Sequence, residues 1–353
     1  MPTVINKLVA YTGGDYTSLN AALAATPANL VTADEQWNIT IGESAAGVYE
    51  WTISVDNIFG SRTTDATRYI TLSAQAGKSF KNNANKLTNA LRYNGANGVA
   101  LSIGGGNYFV LPNFTRISNL QIKGGFAIDF GGDHKLNDCI ISRQGFSSAA
   151  QNQNSVWTNV LWVTDTNSPF LNTGNANRAR EFHNCHFWAY APGASSYWAT
   201  GDYGVFLLKN CTLFGFVGVT NAGAPGSYTG SVNNSTDLAS VPAGFSGTLL
   251  SQTTANQFQN VTAGSEDFRV KAGAGLINAG VRDQTYTNDL DIVGSARSIT
   301  TPTIGVWEYS SPYDARVTWA ELQYQASAAP VTPTDYSEPL SRGIFRGIER
   351  GVA

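Results

Sequence analysis

The chain has 353 residues and a formal net charge of −3, a balance that gives nucleic acid no basic surface to bind. Only 13% of residues are charged and 42% are apolar, with a single Met and 36 Gly, which leaves little material for long helices and much for short strands joined by tight bends. No stretch approaches the ~20 apolar residues of a membrane span, and the start Met1-Pro2-Thr3-Val4-Ile5-Asn6-Lys7 lacks the basic and apolar regions of a signal peptide, so synthesis and folding in a cytosol are expected.

In chain order, the first element is a short amphipathic cap helix. Asp15 or Thr17 is its expected N-cap, Leu19 and Leu23 lie on one face, and Pro27 follows its end. Residues 1–36 are assigned to this N-terminal cap. Strands begin at Trp37-Asn38-Ile39-Thr40-Ile41 and recur at Arg68-Tyr69-Ile70-Thr71-Leu72 and Val99-Ala100-Leu101-Ser102-Ile103, each bounded by Gly, Asn, Asp or Ser.

A degenerate repeat then emerges. Asn119, Asn137, Asn159, Asn184 and Asn210 each sit between strand-forming residues, 18, 22, 25 and 26 residues apart, with Asn234 and Asn260 as weaker continuations. A spacing that drifts in this way predicts a parallel β-helix, in which strand register is fixed and loop length is free. Stacked ~4.8 Å apart, the five asparagines would hydrogen-bond one another as a structural ladder. The fold expected is all-β: a right-handed parallel β-helix over residues 37–309, with the cap helix before it and an extended tail after it.

Several groups could carry chemistry, and each has a plainer reading beside it. Cys139, Cys185 and Cys211 have no CxxC spacing and read as buried thiols. His183-Asn184-Cys185-His186 suggests a metal, but residues three apart on a strand point to opposite faces, so no metal or other cofactor is expected. Asp133 and Glu181 form a marginal carboxylate pair, whereas Asp129 and Asp202 are too far apart for glycoside hydrolysis. The aromatics Trp157, Trp162, Phe182, Phe187, Trp188, Tyr190, Tyr197 and Trp198 suit core stacking or a sugar surface. Asp267, Asp289 and Asp291 read as turn caps before calcium ligands, with Arg297 pairing one of them.

The segments Gly13-Gly14-Asp15-Tyr16-Thr17-Ser18-Leu19, Asp267-Phe268-Arg269-Val270, Leu276-Ile277-Asn278-Ala279-Gly280, Asp289-Leu290-Asp291-Ile292-Val293-Gly294 and Ile304-Gly305-Val306-Trp307-Glu308-Tyr309 resemble the opening and closing motifs of pectate-lyase-like right-handed β-helix proteins. The middle of the chain, including Thr63-Thr64-Asp65-Ala66-Thr67-Arg68-Tyr69-Ile70, is similar to β-helix proteins among the virion structural proteins of tailed bacteriophages. The second resemblance implies a non-enzymatic virion surface protein of head or tail, assembled in the host cytoplasm, and allows a homotrimer. Two alternatives stay open: a tailspike-like hydrolase or lyase acting on host surface polysaccharide, and a carbohydrate- or receptor-binding module.

Beyond Tyr309 the pattern changes to Pro-punctuated sequence, and residues 310–353 are expected to leave the coil as a C-terminal extension. Its end places Ile344, Ile348 and Val352 on one apolar stripe beside Phe345, flanked by Arg342, Arg346 and Arg350. Glycines weaken such a helix in isolation, so these residues are expected to dock on another virion protein.

Overall fold

The computed structural model describes residues 1–53, 62–104, 108–128, 133–143, 155–164, 171–172, 178–190, 197–200, 204–220, 227–283, 285 and 289–310. Contacts divide the chain into two compact units, Met1–Tyr309 and Ser310–Ala353. The docking residues expected in the tail, Arg342, Ile344, Phe345, Arg346, Ile348, Arg350 and Val352, lie outside the described residues, as do Asp129 and Asp202.

The first unit is mostly β. Among the described residues, sixteen strands join one sheet in which every pairing is parallel. The strands fall into two rows. Row one includes Glu35–Ile41, Ile70–Ala74, Thr115–Ser118, Arg178–His183 and Gly204–Lys209; row two includes Glu50–Ile53, Ala100–Ile103, Gln121–Lys123, His186–Ala189 and Thr212–Phe214. The long strands His134–Arg143 and Ser155–Thr164 run through both rows and so connect them.

Register fixes the core. In row one, Ile39, Leu72, Ile117, Leu136, Trp157, Phe182 and Leu208 pair in an unbroken column, and all are buried. In row two, Trp51, Leu101, Ile122, Ile141, Trp162, Phe187 and Leu213 do the same. The columns meet through ring contacts: Trp157 stacks on Trp162 at 5.4 Å, and Phe182 meets Phe187 edge-on at 5.4 Å. Each such side chain contributes roughly 1.5–3 kcal/mol by leaving water. A one-residue slip would turn the whole column outward, so the pattern also fixes the pairing.

Row two is buried on its other face as well. Ile140, Leu161, Val163, Trp188 and Phe214 pack in a second apolar cluster with Phe80, Leu91, Phe258, Phe268, Ile292 and Val306. This explains why residues 160–163, Val-Leu-Trp-Val, form a continuous apolar run rather than an alternating one.

The N-terminus differs from the expected cap. Thr3–Val9 is already a strand of row one, pairing in parallel with Glu35–Ile41 from Thr3↔Glu35 to Val9↔Ile41. The helix Leu19–Ala25 lies in the connection between them and buries Leu19, Ala22 and Leu23. Its N-cap is Ser18, whose hydroxyl accepts the Ala21 N–H at 3.1 Å, and not Asp15 or Thr17. Asp15 is engaged elsewhere: it accepts the Leu8 N–H at 2.8 Å and pairs with Lys7 at 3.3 Å.

Candidate functional site

Between the two rows the backbone turns on a single residue with positive φ. Asn119, Asp138, Asn159, Asn184, Asn210 and Asn233 hold φ between 50° and 58°, a left-handed conformation that Asn and Asp tolerate better than other side chains. Four of the five expected ladder positions, Asn119, Asn159, Asn184 and Asn210, occupy these bends. Asn137 does not. It pairs with Ser118 and Thr158 one residue before the bend, which Asp138 takes instead, and its amide donates to the Asp138 carboxylate at 3.0 Å. Likewise the bend near residue 234 is made by Asn233, while Asn234 falls in the column of Cys139, Cys185 and Cys211.

Direct side-chain bonds along the bends join Asn210 Nδ2 to Asn184 Oδ1 at 3.0 Å and Asn159 Nδ2 to Asp138 Oδ1 at 2.9 Å. A carboxylate in this column needs a cation, and Lys81 supplies it at 2.5 Å from Asp138. The remaining polar capacity goes to a later part of the chain. Asn233 Nδ2 donates to Ala279 O at 2.9 Å, Asn210 exchanges two bonds with the Val281 backbone at 2.6 and 2.8 Å, and Asn159 Nδ2 donates to Leu290 O at 3.0 Å. The described residues between Leu276 and Glu308 therefore lie along the bends as a strap.

Two acidic residues of that strap, Asp291 and Glu308, accept from its own backbone, and the acids around them are held by cationic side chains or by His183. Asp291 is fully buried and accepts the N–H groups of Val293, Ser295 and Glu308 at 2.7–3.1 Å; burial nevertheless pushes its carboxyl up to about 6. Asp289 pairs with Arg282 at 2.6 Å, and Asp267 caps Leu91 and clasps Arg269. Arg297, 3% exposed, reaches Asn159 and the carbonyls of Leu290, Thr303 and Gly305, with Glu308 at 3.7 Å.

His183 and His186 both leave the core face, contrary to the simple strand rule, because the bend at Asn184 resets the alternation: Phe182, Cys185 and Phe187 are the residues that point to the core. The two imidazoles remain in separate surroundings. His183 lies with Nδ1 2.5 Å from Asp283 and Nε2 3.3 Å from Glu181. His186 bonds Thr212 at 2.5 Å and sits among Trp188, Phe258 and Phe268; burial drives its pKa down to about 3. Among the described residues, no group of three or more His, Cys, Asp and Glu is placed to hold a metal ion.

The carboxylates of Asp133 and Glu181 are not brought together. His134 is level with Ser155 and Arg180, so Asp133 and Glu181 differ by two strand positions and two residues, ~12 Å by parallel-strand spacing. The three thiols are buried, and each lies within hydrogen-bond reach of a neighbouring strand's carbonyl, Ile117, Trp157 or Phe182. Trp157, Trp162, Phe182, Phe187 and Trp198 all belong to the core, and Trp188 to the second cluster. Tyr197 is half-buried on the strand Tyr197–Thr200.

Tyr190 has a different place. It lines a cleft of about 350 Å³ together with Arg92, Tyr93, Lys123, Ser142, Val163, Gly264, Glu266 and Phe268. The floor is built by register: Lys123, Ser142 and Val163 are side by side on three successive row-two strands. The walls are tied together, since Phe268 N–H donates to Leu91 O at 3.2 Å and Asp267 accepts the Leu91 N–H at 3.0 Å. Burial opposes ionisation of Glu266, but the Tyr190 hydroxyl, backbone N–H groups and Arg92 outweigh it and hold the carboxyl below its usual range. Arg92 also donates to Gly264 O. Sequence reasoning missed this cleft, whose residues form no motif.

The fold and these sites define a mostly β protein organised on a large parallel sheet. No protein-family model matches the chain, and no curated protein sequence is similar to it.

Proposed function

We propose that the first unit is a right-handed parallel β-helix whose work is mechanical, and that the protein is a non-enzymatic surface component of a tailed-bacteriophage particle, anchored through residues 310–353. The observation that carries the mechanical reading is the use made of polar side chains. The bend amides bond one another and the strap backbone, and the buried Asp291 accepts three backbone N–H groups, the arrangement of a stiffened scaffold. Register-matched apolar columns on two rows add to that stiffness. The virion assignment rests on the resemblance of the opening, middle and closing segments, and the tail supplies an apolar stripe with three arginines for docking.

Deleting residues 340–353 tests the anchor. The truncated protein should keep the circular dichroism and melting transition of the full chain yet fail to co-sediment with particles. Particle incorporation equal to that of the full chain would sink the docking role.

A further inference from the structure

We propose that the cleft at Lys123 binds a small ring-bearing monocarboxylate, with the carboxylate at the Lys123 ammonium and the ring against Tyr93, Val163 and Phe268. The reading does not depend on the virion assignment.

Three observations combine. The first is charge. Of the two cations lining the cleft, Arg92 is matched by Glu266 at 3.6 Å, whereas among the described residues no carboxylate makes an ion pair with Lys123. Its ammonium lies 5.8 Å from the centre of the Tyr93 ring, a contact that positions a cation without neutralising it. With Glu266 held ionised, the described residues of the lining carry one net positive charge, which favours a single negative charge on the ligand.

The second is size. About 350 Å³ falls in the lower part of the range for small-molecule pockets and accommodates one or two six-membered rings. The third is the disposition of surfaces. Val163 and Phe268 belong to the second apolar cluster, and Tyr93 and Tyr190 pack against it, so an apolar floor and wall adjoin polar groups at Lys123 and Ser142. Burial, with the Glu50 carboxylate beside it, raises the Tyr93 phenol well above its ordinary pKa, so the hydroxyl itself stays neutral; Glu50 is not among the described residues that line the cleft. The walls are joined by the main-chain hydrogen bond from Phe268 to Leu91 and by the Asp267 carboxylate on the Leu91 N–H, so the cleft is formed before a ligand arrives.

The chemistry recognised is a carboxylate on a ring, and the ring can be aromatic or a sugar. The test titrates the full chain calorimetrically with 4-hydroxyphenylacetate and with glucuronate, each beside its neutral amide. One acid should bind, identifying the ring, and its amide should bind at least about tenfold more weakly, as expected for loss of a charge-assisted bond. Lys123→Met should lower the acid's affinity by about tenfold or more, and Lys123→Arg should retain it. Affinity of the unaltered chain should also fall with added salt, a readout that needs no variant. The proposal is overturned if acid and amide bind alike, if Lys123→Met binds as the unaltered chain does, or if neither acid binds at about 10 mM, an affinity too weak for a formed site.

Discussion

The Arg297 guanidinium donates to the Asn159 side-chain oxygen at 3.1 Å, joining residues 138 positions apart. The bond ties the strap to a bend made much earlier in the chain. Arg297 also satisfies three backbone carbonyls there, so its charge is desolvated but heavily hydrogen-bonded. Removing it leaves three buried acceptors, Asn159 Oδ1, Thr303 O and Gly305 O, without that donor, while Leu290 O keeps the Asn159 amide. Arg297→Ala should therefore cost roughly 3–5 kcal/mol in urea denaturation, and Arg297→Lys should recover only part of that. A loss below about 0.5 kcal/mol in both variants would mean that the strap is not held at this point.

Asn210 does two jobs that can be separated. Its backbone occupies the left-handed region at φ 54°, and its side chain bonds Asn184 and Val281. Asn210→Gly keeps the conformation and loses the bonds; Asn210→Ala loses both. Chemical denaturation should place Gly about 1–2 kcal/mol above Ala in stability, with both below the unaltered chain. Equal stability of the two variants would show that backbone strain plays no part.

His186 gives the fold an acid limit. Its folded pKa is depressed to about 3 by burial, whereas an unfolded chain would titrate it near 6.5. Between those values the unfolded state takes up a proton that the folded state refuses, so stability falls as pH drops below about 6.5. The slope approaches ~1.4 kcal/mol per pH unit. His186→Leu removes this contribution, and the stability gap between it and the unaltered chain should shift by roughly 2–3 kcal/mol between about pH 7 and about pH 4.5. A gap independent of pH would refute the burial argument.

Gly215 turns with φ +76° where a Cβ would run into the Ala189 carbonyl of the preceding row-two strand. Gly13 has a similar φ of +67° but open space around it. Gly13→Ala should cost about 1–2 kcal/mol from backbone conformation alone, and Gly215→Ala clearly more, because the strand must also shift. Thermal unfolding of the two variants side by side measures the difference; equal losses would contradict the close approach.

Much of the strand pattern is legible in the residues, because Trp37, Ile39 and Ile41, or Ile70 and Leu72, alternate with polar neighbours as a half-buried strand requires. The opening strand is not. In Thr3–Val9 only Val9 is buried, so the alternation that would mark it carries little weight. The bend position is only partly legible, because the left-handed region accepts Asp as well as Asn, so the pair Asn137-Asp138 does not itself say which residue turns. The cleft was invisible for another reason: Arg92, Lys123, Ser142, Tyr190 and Glu266 meet only once strand register and the hairpin of Phe258–Asn260 with Asp267–Val270 are in place.

The strap also imposes a sequence of events on biosynthesis. The bends at Asn159, Asn210 and Asn233 leave the ribosome well before Ala279, Val281, Leu290 and Arg297 do, so nascent chains carry those bends with part of their hydrogen bonding left to water until the strap emerges. A ribosome stalled before codon 276 would leave the strands without their clasp.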